Sequence, residues 1–194
     1  MGRALAGLAF LAALAAAGQA HADFATDLAK AAEDRARHDV RYDPSYVSIA
    51  YPMGDVPANT GVCTDVVIRA LRTLGVDLQE RVHRDMKANF RKYPKIWGLK
   101  RPDPNIDHRR VPNLETYLTR RGAKVALSSD PAAFKPGDIV TWRLPGNLPH
   151  MGIVTTQTAP SGNPMIAHNI GAGPEIEDML FSYPITAHFR WDGR

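Results

Sequence analysis

The spacing of apolar residues changes about two thirds of the way along the chain, and this change limits the fold most strongly. Before it, apolar side chains recur every three or four residues, most clearly from Cys63 to Leu74, where Gly75 follows as a typical helix terminator. Beyond it, short strand-like runs alternate with Gly, Pro, Asn and Ser. Helices followed by strands predict an α+β domain with a mainly antiparallel sheet.

The same patterns place the individual elements. Further helices are predicted over residues 23–38, 78–93 and 112–122, the last opened by a proline and ended by a glycine. The predicted strands cover residues 139–142, 150–156, 165–169 and 185–191.

The first 22 residues have the three parts of a secretory signal peptide. Arg3 precedes the uncharged run from Leu5 to Ala17, and small residues at Ala20 and Ala22 fit a cut after Ala22. The run is shorter than the roughly 20 apolar residues that a membrane-spanning helix needs. We therefore predict that residues 1–22 are removed, that 23–194 form a single domain without a membrane span, and that this domain is a monomer in the periplasm or secreted.

Charge and motifs narrow the classes of ligand. The net charge is only +4, and Lys and Arg are spread along the chain without a basic block, so we predict no binding of nucleic acid. The chain has no glycine-rich phosphate-binding loop or other nucleotide motif, so we predict no nucleotide cofactor.

Cys63 is the only cysteine in a chain predicted to be exported, so it cannot form an internal disulfide. It is either a small buried apolar residue or a reactive thiol. It stands at the start of the best-defined helix, where unpaired N–H groups and the helix dipole favour an anion. This setting predicts a thiol pKa below the usual value of about 8.5, and hence a thiolate nucleophile at neutral pH.

The best candidates for a base are His150 and His168, which lie on consecutive predicted strands. An antiparallel hairpin centred at Ala159 would bring them face to face, whereas a turn centred nearer Ser161 would move them apart by a few residues. In the first arrangement His150 accepts the thiol proton and His168 binds its other ring nitrogen.

Several motifs carry a resemblance to known families. Cys63 at a helix start, Gly137–Val140, His150–Val154 and Ile166–His168 are similar to the NlpC-type papain-like cysteine peptidases of bacterial cell walls. More closely, a longer set of motifs, which extends over most of residues 47–191, resembles a bacterial domain-of-unknown-function family, DUF1287, placed in that superfamily. These longer motifs are Gly61–Arg69, Asn105–Leu114 and His168–Gly171.

The resemblance implies a papain-like fold in which the Cys-bearing helix packs, with other N-terminal helices, on a mainly antiparallel sheet. It implies Cys63 as nucleophile, His150 as general base, His168 as the residue that orients it, and Tyr51 near the oxyanion site. The implied activity is cleavage of amide bonds in peptidoglycan peptides through a thiol acyl-enzyme. One departure is that the usual Asp-Cys-Ser-Gly is here Val62–Asp65, which changes the residues around the nucleophile.

The segment with Asp107, His108 and Arg109 has two interpretations. These residues either line a cleft and bind a carboxylate-rich peptide, which the Arg fork favours, or form a polar loop held by its own turns and helix caps. His188, which alternates with apolar residues, is interpreted as structural, and Glu177, with its neighbour, as a surface pair.

Three functions fit these residues. They are hydrolysis of an amide bond, transfer of the same acyl group to an amine or alcohol, and non-catalytic binding of cell-wall peptides. Zinc-dependent hydrolysis is disfavoured because the His and Asp spacing does not match known zinc motifs, so we predict no metal site.

Overall fold

The computed structural model describes residues 23–194; the predicted signal peptide, residues 1–22, lies outside the described residues. The described chain contains a helix over residues 23–35 (α1) and the helices Cys63–Thr73 (α2), Leu78–Asn89 (α3) and Val111–Arg120 (α4). Within this part of the chain, no helix is both long enough and apolar enough to cross a membrane.

Local sequence accounts for the ends of these helices. Gly75 follows α2 with a φ of 76°, a left-handed conformation that costs glycine little. Asp77 caps α3, because its carboxylate accepts the amide of Glu80 at 3.2 Å. The helix ends at Asn89 and continues as a single 3-10 turn, Phe90–Lys92, so the α-helical part is shorter than predicted.

Six strands form one antiparallel sheet, in the order β3-β8-β4-β5-β6-β7. A separate pair, β1 and β2, runs parallel and consists of two residues in each strand. In chain order the strands are β1 Arg41–Tyr42, β2 Thr60–Gly61, β3 Lys124–Val125, β4 Ile139–Leu144, β5 Leu148–Thr158, β6 Pro164–Asn169, β7 Pro174–Glu177 and β8 Ile185–Phe189. The predicted α+β class and the mainly antiparallel sheet are confirmed.

Each face of the sheet has its own core. On one face, Met151, Ile153 and Ala167 pack with apolar residues of the helices, including Cys63 and Val67 of α2. This arrangement confirms that the Cys-bearing helix packs on the sheet.

The opposite face is closed by a second set of residues. Val140, Trp142 and Ile166 pack there against Leu180, which belongs to the segment after β7. The strand period of two separates the two sets.

Candidate active site

Cys63 is the first residue of α2, and the turn before it is held by Asp65. The Asp65 carboxylate accepts the amide of Val62 at 2.7 Å, as an acidic residue at the third helical position commonly does. It also accepts two bonds from the Arg109 guanidinium, at 2.9 and 2.8 Å, and both side chains are almost fully buried. The start of the helix is therefore fixed by a bidentate ion pair.

The polar segment before α4 packs against this helix start. The Thr64 hydroxyl donates to the carbonyl of Arg109 at 3.1 Å. Asp107 accepts the amide of Asp103 at 2.6 Å and pairs with Arg110 at 3.1 Å. Thr64 and Asp65, which depart from the NlpC-type pattern, thus contact the segment that the Asn105–Leu114 motif forms.

These contacts favour one of the two interpretations of the three predicted substrate-binding residues. Asp107 and His108 are 1% and 2% exposed, and burial lowers the pKa of His108 to about 4. Of the three, only Arg109 lines the cavity at Cys63, and its guanidinium is bound to Asp65. The structure therefore favours a polar turn held by its own hydrogen bonds.

A cavity of about 400 Å³ opens beside Cys63. The guanidinium of Arg110 lies 4.1 Å from the centre of the Trp97 ring in its wall, a cation–π contact. The walls are mostly aromatic and apolar, with two arginines, and include Tyr42, Pro44, Tyr46, Trp97, Arg110 and Pro149. Such a cavity suits a short peptide segment with apolar and carboxylate groups.

The structure does not bring Tyr51 to this cavity. Its ring packs edge-on against His83, with 5.0 Å between the ring centres. Tyr42 lines the cavity instead, because β1 pairs with β2 immediately before α2 and sets Tyr42 opposite Gly61. Burial, and then the proximity of Cys63, raises the pKa of Tyr42. Tyr51 is the tyrosine nearest Cys63 in the sequence, but the fold places Tyr42, and not Tyr51, in the cavity beside Cys63.

The thiol reaches the sheet at a gap between β5 and β6. The amide and carbonyl of Val154 are hydrogen-bonded to Asp138 and Gly137, just before β4. Backbone groups of successive residues point to opposite sides of a strand, so the amide of Met151, three residues earlier, points toward β6. Pairing with β6 stops at Ile153, opposite Ala167, and leaves that amide free. It donates to the sulfur of Cys63, which is 5% exposed.

His150 and His168 meet across the same gap. Nε2 of His150 lies 3.0 Å from Nδ1 of His168, and the two rings are perpendicular. The register of the hairpin does not set His150 opposite His168, as the face-to-face arrangement required. Val154 is opposite Ile166, and the same register continued along the strands would set His150 opposite Ile170. The rings make contact because the strands have separated, and the sequence-based pairing of the two histidines holds without the predicted register.

The ring nitrogens of His150 are then distinguishable. Nε2 contacts His168, so Nδ1, the nitrogen closer to its own backbone, is the one that this contact leaves unoccupied. The thiol in turn contacts the amide of Met151, the next residue along. Within the described chain its hydrogen-bond donors are backbone amides, those of Met151, Thr64 and Cys63 itself, and not an imidazole. Catalytic hydrogen bonds commonly shorten only when substrate binds.

Glu177 extends the histidine pair. Its carboxylate lies 2.8 Å from Nε2 of His168, and its side chain is 45% exposed. The interpretation of Glu177 as part of a surface pair missed this contact, because β7 was not predicted. The alternation of Glu175, Ile176 and Glu177 after a glycine-rich turn was the signal for a strand with both acids on one face.

Burial sets the charge state of the thiol and the imidazole. It raises the pKa of the Cys63 thiol to about 11, although the amide of Met151 lowers it. Burial, with His168 beside it, lowers the pKa of His150 to about 3. The predicted lowering of the thiol pKa at the helix start is therefore wrong, because desolvation outweighs the backbone donors. Both groups are neutral at pH 7.

The family model described as "Domain of unknown function (DUF1287)" matches residues 29–191. A protein of Escherichia coli K12, "Uncharacterized protein YijF", is 54% identical over 150 residues, which are 77% of this chain and 73% of that protein. Among solved structures, NlpC1 from Trichomonas vaginalis aligns with 86% of this chain at 14% identity and a TM-score of 0.45, and the alignment spans 44% of that protein.

Proposed function

Since the chain belongs to the DUF1287 family and holds a thiol beside a histidine pair, we propose that it is a cysteine-dependent amidase or peptidase. The observation that carries this proposal is the gap between β5 and β6. There the Cys63 sulfur contacts the residue that follows His150, and His168 occupies the other ring nitrogen. A nucleophile, a base and a residue that orients the base are the three parts such chemistry needs.

The reaction starts from neutral groups. Nδ1 of His150 takes the thiol proton as the sulfur attacks the substrate carbonyl, so a C–S bond forms and the carbonyl oxygen becomes an oxyanion. The amide of Cys63 at the helix start and the hydroxyl of Tyr42 stabilise this oxyanion. The imidazolium then protonates the leaving amine as the C–N bond breaks. Water, deprotonated by His150, hydrolyses the thioester and regenerates the thiol.

The substrates we propose are peptides of the peptidoglycan layer, met after export. Support comes from the signal-peptide pattern of residues 1–22, from the motif resemblance, and from a cavity that combines aromatic walls with Arg110. Cleavage after Ala22 and a periplasmic or secreted protein are part of the proposal. N-terminal sequencing of the protein from fractionated cells tests them.

Turnover of purified muropeptides, followed by mass spectrometry, tests the activity. We expect wild-type protein to release amine products and Cys63→Ala to fall to the uncatalysed background. Tyr42→Phe removes one oxyanion donor and should slow turnover by about 10²–10³, whereas Tyr51→Phe, whose ring lies against His83, should leave it unchanged.

Three other results would exclude the proposal in this form. Equal rates for wild type and Cys63→Ala would remove the thiol from the chemistry, and binding of muropeptides without turnover would identify a binding module. Products joined to an added amine, in place of free acids, would identify acyl transfer by the same residues.

A further inference from the structure

We propose that Glu177 is a positioning residue that sets the protons on both histidines, so that Nδ1 of His150 is left bare to accept the thiol proton. This inference rests on the proposed function. It assigns a role to a carboxylate that is not part of the lining of the cavity beside Cys63.

Glu177 is the outer end of a chain of hydrogen bonds that runs through His168 to His150. An ionised carboxylate can only accept, so the 2.8 Å contact with Glu177 requires a proton on Nε2 of His168. A neutral imidazole carries one proton, and burial lowers the pKa of His168, which keeps it neutral. Nδ1 of His168 is therefore an acceptor.

The proton position on His168 determines the proton position on His150. Nδ1 of His168 lies 3.0 Å from Nε2 of His150, and because the first nitrogen is an acceptor, the second must donate. His150 is neutral too, so its single proton is on Nε2. Its Nδ1 then has a free lone pair, which is what a general base requires.

Between the two histidines alone, the opposite arrangement is equally well hydrogen-bonded, but it has no base. If His168 carried its proton on Nδ1, it would donate to Nε2 of His150 and place the His150 proton on Nδ1. The two histidines alone thus have two states of reversed direction. Glu177 stabilises one state, because only that state offers an N–H to the carboxylate.

Strand geometry holds Glu177 in this place. In the β6–β7 ladder, Glu177 is opposite Ile166 and Glu175 is opposite His168. Both acids are on the face that carries His168, and both carboxylates raise the pKa of this imidazole. Only Glu177 makes the hydrogen bond, so Glu175 is a control with the same charge on the same strand.

The sharpest test replaces the acceptor by a donor. The Glu177→Lys side chain can only donate, so it favours the reversed state, in which His150 cannot accept a proton. Glu177→Gln can donate or accept and no longer selects a state. Glu175→Lys makes the same change of charge beside His168 without touching the hydrogen bond.

We expect kcat on muropeptides to decrease in the order wild type, Glu177→Gln, Glu177→Lys, with KM unchanged. The loss should be about tenfold for Gln and about 10² or more for Lys, toward the full contribution of a general base. Glu175→Lys should stay within about twofold of wild type, since the base keeps its proton acceptor. Equal losses for the two Lys variants would show an effect of charge alone and overturn the inference.

Nitrogen-15 NMR of the imidazoles reads the proton positions without any turnover. Wild-type protein should show protonated Nε2 and bare Nδ1 for both histidines, and Glu177→Lys should show the reverse for both. A wild-type His150 protonated on Nδ1, or proton positions that Glu177→Lys leaves unchanged, would overturn the inference. Because these spectra need no substrate, they decide it even where Cys63→Ala shows that the proposed activity is wrong.

Discussion

Two histidine–carboxylate pairs of the same sheet differ in what surrounds them. His188 on β8 lies 2.6 Å from Asp138, and Arg190 also binds this carboxylate, at 2.8 and 2.6 Å. We call this the closed pair, because both partners are 2% exposed. His168 on β6 lies 2.8 Å from Glu177, which is half-exposed. We call this the open pair.

The difference lies in the second nitrogen of each imidazole. In the closed pair, Nδ1 of His188 has no hydrogen-bond partner among the described residues, and the ring stacks on Phe134. In the open pair, Nδ1 of His168 contacts His150 at the gap beside Cys63. The same two chemical groups therefore act as a cross-link within the sheet in one place and, in the proposed mechanism, as part of a proton path in the other.

Replacing the histidine by glutamine in each pair should give the largest difference between the two pairs, and the difference should be in kcat. His168→Gln should lower kcat on muropeptides by about a hundredfold, the lower end of what a general base contributes, because His150 loses the partner that orients it. His188→Gln should leave kcat within a few-fold of wild type, since His188 lies outside the cavity.

Steady-state kinetics on both folded variants, with circular dichroism as the check of folding, decides this point. A loss of kcat for His188→Gln as large as that for His168→Gln would mean that the two pairs do not have separate roles.

The carboxylates should differ in stability. Asp138→Asn removes the partner of a buried histidine and of Arg190, whose side chain is 35% exposed, so we expect a loss of about 3 kcal/mol in the free energy of unfolding. Glu177→Gln changes a half-exposed pair and should cost less than about 1 kcal/mol. Urea unfolding measures both, and similar losses would contradict the distinction between a closed and an open pair.

Acid should lower the free energy of unfolding through the two pairs in different ranges of pH. The effect of the open pair on the free energy of unfolding should be the smaller one. Hydrogen bonds from His188 and Arg190 hold the pKa of Asp138 below its ordinary value against the effect of burial. The stability that this gives is present above the unfolded pKa, about 3.9, and is lost as the pH falls through the lower folded value.

His168 behaves differently, because burial lowers its pKa and the unfolded chain takes up the proton first. Stability then decreases as the pH falls below about 6.5, by less than about 1.4 kcal/mol per pH unit. Unfolding measured against pH should show a shallower decrease just below about pH 6.5 for His168→Gln, in which His108 and His150 still take up protons on unfolding. Asp138→Asn should flatten the range below about 4. A curve for His168→Gln that is parallel to wild type from pH 6.5 to 5 would contradict this.

Periodicity predicted most of the framework. The start of α2 at Cys63 and its end before Gly75 were found from apolar spacing and one glycine. The strands β4, β5, β6 and β8 were also found, with ends shifted by up to two residues. The short strands β1, β2, β3 and β7 were missed, because two to four residues give too little alternation to detect.

For the site, sequence identified the residue types but not their contacts. It selected Cys63, His150 and His168, since few residues can supply a nucleophile or a base. It placed Tyr51 where the fold places Tyr42, because a count of residues along an irregular segment does not measure distance in space. It left out Glu177, whose contact with His168 depends on the register of β7.

The sequence alone thus determined which side chains can perform chemistry and which segments become helix or strand, because both depend on residue type and local spacing. The tertiary structure decided the protonation of the thiol, the partner of each imidazole and the clamp between Asp65 and Arg109. These depend on burial and on contacts between distant segments, and a charge loses its hydration according to what the whole fold packs around it.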